Sequence, residues 1–296
     1  MSPTIEEAPL RLDLVLPAHN EEHRIDGTLS AYRSALPGRD LRFWVALDGC
    51  RDATADIVRR HAEVDPRVGW VDYPKLGKGG VLTEAFRTAA DSDADLIGFV
   101  DADGATPPAE LARLAEVVAA GADGAVASRR HPSAVTPGPR SLSRRITSAG
   151  FAFGIRLLFD VRCADTQCGA KVLRADVVRR VAPLLSARDF LFDVDLLHTA
   201  HRLGFEITEV PTVWVDQAGS RLRAGRDARR MLWSSLALWL HHRVVPVEGH
   251  RDDDVGGRRP SPRRAAASGR AARRARTRAG HDSQERHDGE TLRARA

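Results

Sequence analysis

Short apolar runs and amphipathic helical stretches alternate along the first half of the chain. Residues 11–18 (RLDLVLPA) form an apolar run closed by Pro17, and a helical pattern follows over 22–36. The runs 41–48, 67–74 and 94–103 read as strands, and each precedes a helical pattern, at 52–64, 78–90 and 108–120 respectively. A fifth strand is expected at 122–130. Repeated β–α alternation of this kind predicts an α/β fold: a mostly parallel sheet with helices on both faces. Ligands bind such sheets beyond the carboxyl ends of the strands. Those ends carry Pro17 to Glu21, Asp48, Asp101 to Asp103, and Ser128 to Arg130.

The second half is less regular. A Pro/Ser-rich loop (131–143) leads to a helix candidate at 144–160, where Ile146, Ala149, Phe153 and Leu157 recur near helical spacing and Phe151, Ile155 and Phe159 widen the face. Residues 165–173 (DTQCGAKVL) read as a compact turn and strand, and 190–204 as a helix ended by Gly204. Residues 206–216 alternate like a strand that Pro211 confines to a sheet edge. A last helix is expected from about 226 to 242, with a Trp/Leu-rich centre. No internal repeat is evident.

Candidate chemistry sits at the strand ends. Asp101 and Asp103 stand at i and i+2, on one side of an extended chain. Their mutual repulsion favours a nearby cation, and hard oxygen ligands suit Mg²⁺ or Mn²⁺ with a substrate phosphate. A strand-to-helix turn explains the same residues without a metal. Asn20 is a candidate cap for the first helix, and Asp52 for the second. Glu21 is a candidate acceptor for a nucleotide's ribose or base, and Asp48 for a base N–H. The segment LGKGG (76–80) matches neither the P-loop nor the dinucleotide fingerprint, which disfavours a nucleoside triphosphatase or a dinucleotide dehydrogenase. Arg129 and Arg130 end a strand, and Arg140, Arg144, Arg145 and Ser148 follow, with Arg144 and Ser148 one helical turn apart. Arginine forks of this kind suit phosphate oxygens. A solvated basic face is the simpler explanation of the same residues.

Composition narrows the field. Hydrophobic residues make up 43% of 296, enough for a sizeable core. The formal charge of +5 belongs to the C-terminal end: from Arg251 onward thirteen arginines face seven acids, so the preceding body is near neutral. That Arg-rich end has few large apolar residues and is expected to be disordered. A polybasic tail can attract anionic lipid or nucleic acid, but the near-neutral body offers no nucleic-acid face. Cys50, Cys163 and Cys168 fit neither a zinc site nor a disulfide framework, which points to a reduced, cytoplasmic compartment. The acidic N-terminal residues lack a signal-peptide pattern, and no run is long enough to span a membrane. Any membrane contact is therefore expected to be peripheral.

In order, the stretches VLPAHNEEHRI, LDGCRDAT, GKGG, FVDADGATPP, ASRRH, DTQCGAKVL, FLFDVDLL and VDQAGSRL resemble family 2 glycosyltransferases of the GT-A fold. They resemble most the branch of dolichyl-phosphate β-glucosyltransferases and polyprenyl-phosphate hexosyltransferases. The likeness spans roughly 11–243, leaving 1–10 as an N-terminal extension and 244–296 as a tail. It implies inverting transfer of a hexose, first glucose from UDP-glucose, to a polyprenyl or dolichyl-type lipid phosphate at the inner membrane surface. Pro17, His19, Glu21, Asp48, Lys78, Asp101 and Ala102 would hold the donor. Asp101 and Asp103 would bind Mg²⁺ or Mn²⁺, and Arg129, Arg144 and Ser148 would clamp the acceptor phosphate. Asp165, Gln167 and Asp193 would line the site, with Gln167 among the catalytic group alongside Asp103, Arg129 and Arg144; Asp193 and Asp195 read equally as helix caps or surface residues. The chain departs from the family pattern at Leu47, Cys50 and His19, and it lacks the membrane spans seen in parts of the branch. Segments 144–160 and 226–243 would instead lie in the membrane interface. The alternatives are mannose transfer from GDP-mannose, a soluble hydroxyl acceptor (which needs a general base), a non-catalytic nucleotide-sugar binder, or a binding module built on the basic tail.

Overall fold

The computed structural model describes residues 10–36, 40–136, 150, 152–159, 161–215 and 224–244. The order of elements is β1 (Leu12–Ala18), α1 (Ile25–Ala35), β2 (Leu41–Asp48), α2 (Thr54–Val64), β3 (Val68–Tyr73), α3 (Lys78–Ala90), β4 (Leu96–Val100), α4 (Pro108–Ala119) and β5 (Gly124–Ser128). A helix, α5, covers 152–158. Then come β6 (Ala170–Arg174), α6 (Ala175–Val181), a 3-10 turn (Ala182–Leu184), α7 (Phe192–Arg202), β7 (Ile207–Pro211) and α8 (Ala224–Val244). The alternation expected over the first 130 residues is present. The sequence pattern did not reveal α6 or the turn after it, because the segment is short and Pro183 interrupts its periodicity.

The seven strands form one sheet in the order β3-β2-β1-β4-β6-β5-β7. All neighbours are parallel except at β6, which runs antiparallel to both β4 and β5. That orientation matters for the site. The carboxyl ends of β1, β2, β4 and β5 share one edge, and β6 begins at that edge. The DTQCG stretch therefore meets the Asp101 turn, with Val100 paired to Ala170. β7 is an edge strand, as Pro211 predicted.

Strand residues alternate between two cores. On one face, Leu14, Leu16, Phe43 and Val45 pack with Ile25, Leu29 and Tyr32 of α1, Val58 of α2, and Leu111 and Leu114 of α4. On the other face, Val15, Ile97 and Phe99 pack with Val81 and Phe86 of α3, Val178 of α6, and Phe192 and Leu196 of α7. Phe86, Phe99 and Phe192 form an edge-to-face triad with centroids 5.4–6.0 Å apart. Each fully buried side chain of this size contributes roughly 1.5–3 kcal/mol of transfer free energy, so the triad rigidifies the ground beneath the site. A third cluster joins Ile155 and Phe159 to Val194 and Leu197 of α7 and Leu238 of α8.

Candidate active site

β4 is buried throughout and stops at Val100, where the chain turns instead of continuing extended. The carboxylates of Asp101 and Asp103 thus belong to a turn, which corrects the extended-chain geometry expected for them. Gly104 makes the turn with φ +72, a conformation that favours glycine. α1 supports it from below: Thr28 Oγ1 donates to Ala102 O at 3.0 Å, and Tyr32 Oη donates to Thr106 O at 2.9 Å. Asp103 accepts the Ala105 N–H at 2.9 Å. Burial first, then the charge of Asp101, pushes the Asp103 pKa above the ordinary carboxylate value. The same charges, after burial, push the Tyr32 hydroxyl upward.

DTQCG explains itself at this turn. The Asp101 N–H donates to Gly169 O at 3.0 Å. A Cβ on Gly169 would stand 2.0 Å from Asp101 Oδ2, so only glycine admits the carboxylate. On its other side Asp101 Oδ1 meets Lys78 Nζ at 2.6 Å. Burial opposes the Lys78 charge, but Asp101, Asp193 and Asp103 outweigh it and hold the ammonium pKa above the usual lysine value. The glycines around Lys78 serve close packing. A Cβ on Gly79 would lie 2.2 Å from Asp189 O, and Gly77 adopts φ +83.

Three loops converge beyond the carboxyl ends of β1 and β2. Pro17 ends the β1 ladder with β4, which stops at Val15↔Phe99, while the ladder with β2 continues to Ala18↔Leu47. His19 Nδ1 lies 2.7 Å from Asp48 O. Asn20, at φ 54, does not cap α1; its Oδ1 accepts the Arg51 N–H at 2.8 Å and ties the first loop to the second. Asp52 does serve α2, accepting from Thr54 N at 3.1 Å. Glu21 accepts from Arg24 Nε at 2.6 Å. Asp48 is buried, and its carboxylate accepts from Leu76 N at 2.6 Å, Gly77 N at 3.0 Å and Lys75 Nζ at 2.5 Å. The carboxylate expected to meet the donor thus also fixes the loop that carries Lys78.

Past the end of β5, Arg129 forks onto buried Asp165, Nε to Oδ2 at 2.8 Å and Nη2 to Oδ1 at 2.9 Å, and stacks over Trp214 at 4.8 Å. Two of its five N–H donors are therefore committed, whereas the sequence alone leaves the whole fork to a phosphate. Asp165 stays below the ordinary carboxylate pKa because Arg129 outweighs burial. Gln167 Nε2 donates to Phe190 O at 3.1 Å. Arg140, Arg144, Arg145 and Ser148 lie outside the described residues, as do 245–296.

Asp193 and Asp195 are neither surface residues nor caps of the simple kind. Asp193 accepts from the fully buried Lys171 Nζ at 2.5 Å. Asp195 accepts from Ser186 N, Ala187 N and His242 Nε2 at 2.7, 2.8 and 2.7 Å, joining α7 to α8. Sequence reasoning missed Lys171 and His242; a lysine inside the apolar run AKVL was the available signal for the former. The three cysteines are free thiols, with Cys163 pushed up to about 11 and Cys168 to about 12 by burial.

A divalent ion fits the Asp101–Asp103 turn chemically: two carboxylates at one edge, one of them electrostatically strained, on a rigid support. Among the described residues no cluster of three or more His, Cys, Asp or Glu could hold a metal unaided. The donor set thus suits an ion that completes its shell from a substrate's phosphates.

Residues 13–182 match the sequence profile of glycosyl transferase family 2. The chain belongs to glycosyltransferase family 2. It is 30% identical over 260 residues to dolichyl-phosphate beta-glucosyltransferase of Drosophila melanogaster, covering 82% of this chain and 78% of that protein. It is 30% identical over 238 residues to undecaprenyl-phosphate mannosyltransferase of Micrococcus luteus, covering 78% and 96%. Glycosyltransferase AglD of Haloferax volcanii is 31% identical over 256 residues, which cover 84% of this chain but only 40% of that longer protein. Glucosyl-3-phosphoglycerate synthase of Mycobacterium tuberculosis, solved with Mn²⁺, UDP and glucosyl-3-phosphoglycerate, superposes with a TM-score of 0.56 at 20% identity, covering 81% and 82%. That likeness establishes the GT-A fold for this glycosyltransferase.

Proposed function

We propose that this family 2 glycosyltransferase moves a hexose, first glucose, from a nucleotide sugar, first UDP-glucose, to a polyprenyl or dolichyl-type lipid phosphate. The observation that carries the reading is the Asp101–Asp103 turn. It is a carboxylate pair at the ligand edge whose nearby cations, Lys78 on Asp101 and Arg24 acting on Asp103, do not offset burial and the mutual repulsion at Asp103. The dolichyl-phosphate and undecaprenyl-phosphate relatives supply the acceptor class, and the mycobacterial synthase, which binds Mn²⁺ with UDP, supports a divalent cation.

Asp101 and Asp103 would hold Mg²⁺ or Mn²⁺. The ion supplies charge neutralisation at the leaving group. Pro17, His19, Glu21, Asp48 and Ala102 border the donor, and Asp48 also fixes the 75–77 loop. The remaining N–H donors of Arg129, with Arg144 and Ser148, receive the acceptor phosphate, and Gln167 supports the loop at Phe190. An acceptor phosphate is already anionic, so positioning and charge control carry most of the barrier reduction. One of its oxygens bonds to C1 as the C1–O bond to the diphosphate breaks, which inverts the anomeric centre and releases the nucleoside diphosphate.

The lipid approaches along two exposed apolar faces. Phe153 and Leu157 on α5 are exposed, as are Trp233, Leu240 and Val244 on α8. No helix among the described residues is long and apolar enough to cross a membrane. These faces suit an interfacial position, with the basic residues beyond 250 adding attraction to anionic lipid. Flotation on anionic liposomes with and without 251–296 weighs the tail's share; equal binding removes it.

The test is to incubate the chain with Mn²⁺, a short polyprenyl phosphate and a panel of nucleotide sugars, then extract lipid product. UDP-glucose should give product, and Asp103→Asn should lower the rate about 10²–10³-fold, as loss of a preorganised electrostatic contact does. Product from GDP-mannose alone moves the sugar assignment, and undiminished turnover in Asp103→Asn removes the metal site.

A further inference from the structure

We infer that Lys78 occupies the divalent cation's place on Asp101 until a nucleotide diphosphate draws it away, so that cation and nucleotide bind as a coupled pair. The inference rests on the reading of Asp101 and Asp103 as the metal site, and adds to it an order of events and a residue that enforces it.

Asp101 has one free side. Its Oδ2 faces Gly169 so closely that a Cβ there would stand 2.0 Å away, and its N–H is tied to Gly169 O at 3.0 Å. The carboxylate cannot swing toward β6 to expose Oδ2. Oδ1 is then the oxygen open to an incoming cation, and Lys78 Nζ sits on it at 2.6 Å. An ammonium and a divalent ion at one oxygen repel each other, so the ion's arrival requires Lys78 to leave.

Lys78 has no internal refuge. Deeper in the fold lies a buried anion, Asp193, whose charge acts on Lys78. Asp193 already holds Lys171 at 2.5 Å, and the Lys171 ammonium, fully buried, is anchored again to Cys168 O at 2.9 Å. Both ammoniums face the same Phe99 ring, at 5.9 and 5.1 Å. Moving Lys78 inward would crowd two cations on one carboxylate. Its side chain is nevertheless 28% exposed. An arriving diphosphate offers Lys78 a new anion at the moment the cation needs Asp101. Lys78 starts its helix beside Gly77, held by the Asp48 carboxylate through Leu76 N and Gly77 N. The backbone therefore stays fixed while the side chain exchanges partners.

Mn²⁺ binding to the full chain, followed by electron paramagnetic resonance of the free ion, tests this without reference to turnover. Wild type should bind Mn²⁺ weakly alone and about tenfold or more tightly with UDP, and by reciprocity Mn²⁺ should tighten UDP by the same factor. Lys78→Gln should bind Mn²⁺ without UDP about tenfold more tightly than wild type, with most of the coupling gone. Lys78→Arg, which keeps the charge, should retain the coupling. Equal Mn²⁺ affinity and undiminished coupling in Lys78→Gln would overturn the exchange. Asp103→Asn separates the two claims: if it binds Mn²⁺ as wild type does, the metal site itself is misplaced, whatever Lys78 does.

Discussion

Two Asp-x-Asp pairs of the chain have opposite fates. Asp193 and Asp195 lie in the first turn of α7, and both are buried. Lys171 answers the first, while two backbone N–H groups and His242 answer the second. Asp101 and Asp103 lie in a turn at the sheet edge, where Lys78 bonds one carboxylate and one backbone N–H the other, with Arg24 acting on Asp103 only through its charge. The consequences appear in their charges. Asp195 is held below the ordinary carboxylate pKa, because His242 and the Ser186 and Ala187 N–H groups overcome burial. Asp103 is raised, by burial and by Asp101. A satisfied pair holds the fold together; an unsatisfied pair is kept for something that is not protein. The motif is the same in both, so the distinction lies in what surrounds it.

The largest effect should come from removing the satisfied pair's hub. Asp195→Ala leaves the half-buried Ser186 N–H, the buried Ala187 N–H and His242 without their acceptor, and should destabilise by about 3–5 kcal/mol, the range for breaking a buried pair. Urea unfolding measures it. Asp103→Asn should cost no stability in the same experiment. A comparable loss in both variants would erase the contrast.

Next is the glycine that admits Asp101. Gly169→Ala places a methyl 2.0 Å from Asp101 Oδ2, so the carboxylate must shift. Overpacking of this kind costs roughly 1–3 kcal/mol, and the displaced carboxylate should weaken metal-dependent UDP binding far more than it lowers the melting temperature. Calorimetry and a thermal melt on one preparation compare the two.

The smallest effect is in pH dependence, and it has opposite sign at the two pairs. Asp195's depressed pKa contributes stability above the unfolded carboxylate value, lost as pH falls through the folded value. Asp103's raised pKa does the reverse: its ionisation disfavours the fold, absent at acid pH and growing as pH rises through the window above the unfolded value. Melting temperatures across the carboxylate range, about pH 3–7 in chelator, should show Asp103→Asn gaining on wild type as pH rises. Asp195→Asn should fall behind over the same range. Parallel curves would refute the assignment.

Much of the fold was legible because central parallel strands are buried on both faces and read as apolar runs. The pattern expected over 78–90 coincides with α3, Lys78–Ala90. The strand expected over 94–103 stops at Val100, where the chain bends to present Asp101. β6 looked like any other short strand; nothing local reveals that it runs antiparallel, although that orientation delivers Gly169 to Asp101. Side-chain partnerships were least legible. Arg129 looked free for a phosphate, but Asp165, 36 positions on, takes its fork. The partners of Lys171 and Asp195 likewise depend on how α7 packs on β6 and α8.

At the centre stands the proposal that a cation and a diphosphate together complete the edge pair. Titrating UDP calorimetrically into wild type and Asp103→Asn, each with Mn²⁺ and with chelator, addresses it directly. Wild type should bind UDP about tenfold or more tightly with Mn²⁺, and Asp103→Asn should bind it equally in both conditions. Metal-independent binding by wild type, or metal dependence that survives in Asp103→Asn, would contradict it.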